Sequence, residues 1–110
     1  MAVTSTQTSN GGVANIKVGR YISSSTAAAF KITTGFKPRY VKVVNLNASG
    51  YVQEEWFEGM SDDTAFKSGI DGAQSVISSL GITVAEDGFT VGLDTDINVV
   101  SEQLSWIAIG

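Results

Sequence analysis

Two residue types are missing from this chain, cysteine and histidine. Without cysteine it has neither a disulfide framework nor a thiolate metal site. Without histidine it lacks the side chain most used as a general base near neutral pH, which is also the commonest transition-metal ligand. The sequence therefore argues against Ser-His and Cys-His hydrolases and against transition-metal enzymes, and favours a protein that works by binding.

Proline and charge are scarce, with one proline and 16% charged residues beside 43% hydrophobic ones. The 110 residues fit one domain with one core, and the composition is typical of a folded protein. Residues 1–12 are mainly Thr, Ser, Gln, Asn and Gly, which is not a secretory signal pattern. No apolar run reaches the roughly 18 residues of a membrane span. We expect a soluble protein with no membrane partner.

Acidic residues are absent before Glu54, whereas six of the seven basic residues precede it. Only Lys67 departs from this division. One interpretation is a polar field that steers binding or head-to-tail packing of copies. The other is that neighbouring strands bring the two halves together as ordinary surface ion pairs. The net charge of −4 makes nucleic acid a poor candidate partner.

Short segments rich in Val, Ile, Phe, Tyr and Trp, separated by Gly, Asn, Asp and Ser, begin at Val13. This spacing is typical of an all-β, antiparallel β-sandwich or jelly roll. We expect a flexible arm over residues 1–12 and a single β domain over 13–110. The predicted strands are Val13–Val18, Ala27–Thr33, Tyr40–Leu46, Tyr51–Phe57, Ile82–Ala85, Phe89–Leu93, Ile97–Val100 and Leu104–Ile109.

Two local patterns need separate predictions. The turn Glu86-Asp87-Gly88, with Gly88 available for positive φ, predicts a hairpin over Gly81–Gly92. Asp71–Leu80 fits one short helix near residues 72–80, with apolar residues at helical spacing and Gly81 just past its end. The same stretch suits an edge strand equally well.

Carboxylates cluster between residues 54 and 63, but a glycosidase needs two that face each other across the sugar. Glu54 and Glu55 are adjacent in a strand and point to opposite faces, so they do not meet that need. We interpret the cluster as a solvated acidic loop, formed by Glu54, Glu55, Glu58, Asp62 and Asp63.

The run Asp94-Thr95-Asp96-Ile97-Asn98 resembles the opening of a calcium loop, in which oxygen ligands alternate. Val99 stands where that loop needs glycine, and Ser105 where it needs glutamate. A turn with Asx hydrogen bonds is the better interpretation. No pattern indicates a cofactor.

The tryptophans have two interpretations each, as core residues or as exposed contact residues. Trp106 lies in an apolar run and is expected in the core. Trp56, two residues from Glu54, is a candidate for facing outward, and Tyr51 lies in the same segment.

Several stretches resemble small structural proteins of tailed bacteriophages over residues 35–110. They are Gly-Phe-Lys-Pro-Arg-Tyr-Val from Gly35, Glu-Trp-Phe-Glu-Gly-Met from Glu55, Gly-Phe-Thr-Val-Gly from Gly88, and the ending Trp-Ile-Ala-Ile-Gly. Similar openings and endings occur in β domains at the tips of phage tail fibres. The resemblance implies a β framework and no catalytic residue.

What the resemblance implies is a virion protein, made in the host cytoplasm, of one of two kinds. The first is a capsid decoration or cement protein on the capsid surface, bound to the major capsid protein and to its own copies as a dimer or trimer. The alternative is a receptor-binding tip domain of a tail fibre. The expected capsid or subunit contacts are residues 1–12, Lys37, Arg39, Lys42, Tyr51 and Trp56.

Overall fold

The computed structural model describes residues 15–22, 28–47, 52–69, 72–94 and 96–110. These residues form eight strands and no helix, which confirms the all-β prediction. The strands are β1 (Ile16–Ile22), β2 (Phe30–Thr33), β3 (Tyr40–Asn45), β4 (Val52–Phe57), β5 (Thr64–Ser68), β6 (Gln74–Ala85), β7 (Gly88–Val91) and β8 (Gln103–Ile109). The predicted arm lies outside the described residues.

All strands belong to one antiparallel sheet in the order β1-β8-β3-β4-β5-β6-β7-β2. Chain neighbours β3 and β4 pair with each other, with Asn45 opposite Val52. The last strand, β8, inserts between β1 and β3 and pairs with both. Its apolar run from Leu104 to Ile109 therefore lies inside the sheet and not at an edge.

A bend in β6 curls this sheet over itself. The first residues of β6 pair with β5 and the last pair with β7, and the register shifts between Thr64 and Ala65. Leu80 adopts a left-handed φ of 62° at the bend. The next residue must be glycine, because a Cβ on Gly81 would collide with the backbone of Thr64. The sheet beyond the bend turns back over one face of the strands before it.

The core fills the space inside this curl. Phe89 of β7 meets Trp106 of β8 with ring centroids 5.5 Å apart in an edge-to-face arrangement, so the two layers are in contact. Tyr21 of β1 stacks on Phe30 of β2 at 4.2 Å and brings the two edge strands together. The face of β1, β8, β3, β4 and β5 directed to this core is called the inner face. Its buried apolar residues are Val41, Val43, Val52, Trp56, Ala65, Leu104 and Ala108.

The helix predicted near residues 72–80 is wrong, and the strand alternative is confirmed for Gln74–Leu80. Val76 and Ile77 are β-branched, and Ser75 and Ser78 are weak helix formers. Pairing with β5, where Phe66 lies opposite Val76, supplies the hydrogen bonds that decide for the strand. Asp71, the predicted helix cap, lies outside the described residues.

The strand predicted at Ile97–Val100 is also wrong, because this segment forms turns. Ile97 is fully buried, and the Asn98 side-chain amide donates to the carbonyls of Ala28 and Gly92 at 2.9 and 3.2 Å. Buried anchors, not strand pairing, explain the apolar residues here. Conversely, strand β5 was not predicted, since its Thr64, Lys67 and Ser68 do not form an apolar run.

The predicted β6–β7 hairpin is confirmed, with Ala85 opposite Gly88 across the two-residue turn Glu86-Asp87. Gly88 does not have a positive φ, so the reason given for it is wrong. A Cβ at this position would collide with the carbonyl oxygen of Ile32 in β2. Glycine is required by the close approach of β2 to β7.

Candidate interaction surface

Side chains that alternate with the inner-face residues point away from the core and form the outer face. The register of the strands arranges them in rows that run across the sheet. The first row is Ile16, Ile109, Tyr40 and Phe57; the central row is Val18, Ile107, Lys42, Glu55, Phe66 and Val76; the third row is Arg20, Ser105, Val44, Gln53, Ser68 and Gln74.

The outer face is strongly apolar although no second layer covers it within the described part of the chain. Val18 is 71% exposed and Phe57 49% exposed, and Ile16, Ile22 and Val76 are also exposed. A sheet with one solvated face alternates apolar and polar residues, whereas β3 and β8 also carry the apolar Val44, Ile107 and Ile109 on the outer face. Contiguous exposed apolar surface of this kind marks an interaction site.

Two opposite charges lie at the centre of the outer face. Lys42 of β3 and Glu55 of β4 are directly opposite in the register. The Tyr40 hydroxyl donates to Glu55 Oε2 at 2.6 Å. Burial, together with this bond to Glu55, raises the pKa of Tyr40, so the phenol stays a neutral donor. Within the described residues, Lys42 forms no ion pair closer than 4.0 Å.

Lys37 and Arg39 lie elsewhere, at one end of the curled sheet. Lys37 pairs with Glu86 at 3.6 Å and Arg39 with Glu58 at 3.8 Å. Lys37 and Glu58 line a cavity of about 240 Å³, whereas Lys42 lines a different, shallow one with Val44 and Ile107. The structure therefore brings Lys37 and Arg39 together but places Lys42 on another surface.

Three bases of the first half of the sequence form ion pairs with acids in turns of the second half. Lys31 pairs with Asp87 at 3.0 Å, as Lys37 does with Glu86 and Arg39 with Glu58. Each pair joins a base of the first half to an acid of the second. The interpretation as ordinary surface pairs is confirmed for these three bases.

The prediction that Trp56 faces outward is wrong. Its side chain is only 6% exposed, lies on the inner face, and donates from Nε1 to the Ser61 carbonyl at 3.2 Å. Alternation explains the error, because Glu54 was taken to be exposed and is itself buried. As expected, Trp106 packs against the core. Tyr51 lies outside the described residues.

The inner face contains a buried ionisable side chain, that of Glu54. It is 0% exposed, and no hydrogen bond to either carboxyl oxygen is found in the described part of the molecule. Burial, reinforced by the nearby Asp94, raises the pKa of Glu54 to about 8, against the weaker influence of Lys67. The interpretation of the acidic cluster as solvated is therefore wrong for Glu54. Its strand alternates in the expected way, with Glu55 on the opposite face.

Lys67 of β5 lies opposite Glu54 of β4. Its side chain connects the loop after β7 to the sheet. Its Nζ lies 2.9 Å from both Asp94 oxygens and 2.8 Å from Asp96 Oδ2. Burial opposes the charged form, but the hydrogen bonds to Asp96 and Asp94 outweigh it and raise the pKa of Lys67. The carboxylates of Asp94 and Asp96, which resemble the first ligands of a calcium loop, thus bind a lysine ammonium.

The turn interpretation of residues 94–98 is confirmed. Asp94 Oδ1 accepts a hydrogen bond from the Asp96 backbone at 2.9 Å, which is an Asx turn, and the Asp94 carbonyl accepts from Asn98 at 2.9 Å. Asn45 holds the far side, donating to the Ile97 carbonyl at 3.2 Å and Glu102 Oε1 at 2.9 Å. The polar groups below the outer face hold a loop in place, and we assign no ligand to them.

Comparison with known proteins gives no relative: no family model, curated protein or solved structure matches the chain. No helix among the described residues is long and apolar enough to cross a membrane. The described residues also contain no group of three or more His, Cys, Asp or Glu side chains placed to hold a metal ion. The outer face is the candidate interaction surface of the part of the chain that the structure describes.

Proposed function

We propose that this chain is a non-catalytic structural protein of a bacteriophage particle. In this proposal it is a capsid decoration protein, which binds the outer surface of the major capsid lattice and stabilises the head. The phage assignment is supported by the motifs of residues 35–110. The assembly role is supported by one structural observation, the uncovered apolar outer face.

That observation favours assembly over small-molecule chemistry. An enzyme or small-ligand site gathers a few polar groups in a deep apolar cleft. Here the carboxyl group of Glu54 on the inner face is buried, and the first and central rows of the outer face are mainly apolar, with one opposite-charge pair near the centre. An apolar centre with few charges is the pattern of protein interfaces.

Lys37 and Arg39 are the proposed capsid contacts, together with residues 1–12. The Lys37 side chain is 58% exposed, and both ion pairs are longer than a good charged hydrogen bond. Exposed pairs of this kind contribute little to stability, so these cations can exchange their partners for carboxylates of a capsid surface at small cost. Weak contacts repeated around a shell give firm attachment through avidity.

Co-sedimentation with undecorated capsids tests the proposal directly. We expect the purified chain to pellet with capsids, and Lys37→Glu/Arg39→Glu to weaken binding more at low than at moderate salt. Lys31→Glu is the matched control, since Lys31 is also exposed and paired but lies outside the proposed contact. Failure of the unaltered chain to co-sediment at low and moderate salt would refute a decoration role.

A second candidate function is the receptor-binding tip of a tail fibre. The cavity of about 240 Å³ supports it, because its lining includes Trp56 with Lys37, Glu58 and Asp62, residue types that bind sugars. The burial of Trp56 leaves little ring surface for stacking, which makes this the weaker candidate. Glycan binding that Asp62→Asn abolishes, with a copy number per particle far below that of the major capsid protein, would favour it.

A further inference from the structure

We propose that a second copy of this chain covers the outer face, related to the first by a two-fold axis that runs parallel to the strands between β3 and β4. The inference deepens the proposed function by naming the self-contact of an assembly protein. It rests on that function only for its biological purpose, since self-association is measured on the purified chain.

The size of the outer face is sufficient for a stable contact. Six strands and three rows cover about 30 Å by about 20 Å, or about 600 Å² before the relief of the side chains is counted. Stable protein interfaces bury about 800 Å² per partner. Exposed Ile22, beyond the third row, adds apolar surface at the rim. The face is thus close to the area that a specific dimer needs.

The central row shows why the partner is a second copy. Its order is Val18, Ile107, Lys42, Glu55, Phe66 and Val76, so two apolar residues flank each charge on the outside. A two-fold axis between Lys42 and Glu55 places a copy of this row against itself in reverse. Lys42 then faces the partner's Glu55, and Ile107 faces the partner's Phe66.

The flanking rows agree with this arrangement. In the first row, Tyr40 faces the partner's Phe57. In the third row, Ser105 faces the partner's Ser68, a polar pair, and Val44 faces the partner's Gln53, a mixed pair. Packed sheets cross at about 30°, so the match is best at the central pairs and loosens toward β1 and β6. The central row, which carries both charges, is therefore complementary to itself in charge and in apolar character, as an isologous interface requires.

Two other occupants fit the face less well. Residues 1–12 are mainly Thr, Ser, Gln, Asn and Gly and offer three apolar side chains, Met1, Ala2 and Val3, to a broad apolar surface. Addition of a copy along the free edge of β1 extends the sheet but leaves the outer face exposed. Neither arrangement makes association depend on the Lys42 and Glu55 charges.

Two charge-reversed chains test the proposal when they are mixed. Lys42→Glu gives a chain with Glu at both central positions, and Glu55→Lys gives one with Lys at both. Each alone places like charges across the interface, and we expect its association to weaken at least about a hundredfold. Mixed together, the chains place opposite charges at both contacts and reform a dimer.

The measurement is the mass in solution by light scattering after size-exclusion chromatography. We expect the unaltered chain and a Lys31→Glu control at twice the 11.5 kDa mass of the chain, each reversed chain at that mass, and the mixture at twice it. Lys42 and Glu55 are also neighbours within one chain, but mixing cannot repair an intramolecular defect.

A monomeric or trimeric unaltered chain would overturn the proposal, as would reversed chains that dimerise alone. If the reversed chains unfold, the mass of the unaltered chain alone decides whether the dimer is correct. A dimer that does not bind capsids would refute the decoration role and keep this inference, and a monomer that binds capsids would do the reverse.

Discussion

The inner and outer faces of the strands before the bend in β6 each carry residues that their contact with solvent does not suggest. The inner face buries the ionisable Glu54, and Lys67 beside it is mostly buried. The outer face exposes Val18 and Phe57. Residue type alone therefore does not decide which side is wet; the layer formed by the end of β6, β7 and β2 does.

The two faces differ in whether their side chains find partners within the described part of the same chain. On the inner face, the Lys67 ammonium donates hydrogen bonds to the carboxylates of Asp94 and Asp96, so this charged group is stabilised within one chain. The apolar groups of the outer face have no such partner among the described residues. The chain thus holds its own loop together through its core and leaves an apolar surface for assembly.

Glu54 provides the largest expected effect on the free energy of unfolding. Its carboxyl pKa is about 8 in the folded chain against 4.5 as its ordinary value, so the folded state keeps a proton that the unfolded state releases. The free energy of unfolding should therefore fall as pH rises from about 4.5 to about 8, by at most about 5 kcal/mol.

Glu54→Gln should remove this slope, because an amide does not titrate. Urea denaturation across that pH range measures it, and Glu55→Gln on the outer face is the matched control that keeps the slope. An unchanged slope in Glu54→Gln would mean that this carboxyl is not the source.

Two phenylalanines sharpen the contrast between the faces. Phe89→Ala, at a fully buried position, should cost about 3–5 kcal/mol of unfolding free energy through the cavity it leaves against Trp106. Phe57→Ala, on the outer face, should cost less than about 1 kcal/mol in dilute protein. Equal losses by chemical denaturation would contradict the assignment of the faces.

Two lysines provide a smaller contrast in unfolding free energy than the two phenylalanines. Lys67→Met leaves Asp94 largely buried without its cation and should cost about 2 kcal/mol. Lys37→Met breaks an exposed pair and should change the unfolding free energy by less than about 0.5 kcal/mol. Thermal unfolding in matched buffer checks both, and a larger loss for Lys37→Met would reverse the ranking.

Local sequence patterns predicted much of the fold because they need only neighbours in the chain. Alternation and turn residues located β3, β4, β7 and β8 to within one or two residues, and the β6–β7 hairpin with its turn. β5 was missed because its side chains are largely polar, and the bend at Leu80 depends on the backbone of Thr64, 16 residues earlier.

The candidate surface was predicted only in part, because alternation does not say which side of a strand a second layer will cover. Glu54 and Trp56 share one side, and the charge of Glu54 suggested the wrong one. Lys42 was named as a contact, but its place among Ile107, Glu55 and Phe66 follows from pairing β8, β3, β4 and β5. No local pattern contains that order.

Cysteine cross-linking tests the self-complementary outer face most directly, since the chain has no cysteine of its own. In the proposed dimer, Ile107 faces the partner's Phe66 across the about 10 Å that separates packed sheets, too far for a disulfide but within reach of a short thiol-specific cross-linker, whereas the two copies of Ile107 lie about 17 Å apart. We predict that Ile107→Cys and Phe66→Cys chains form a covalent dimer when they are mixed with this cross-linker and none when each is treated with it separately. No cross-link in the mixture, or equal cross-linking of each chain alone, would contradict the account.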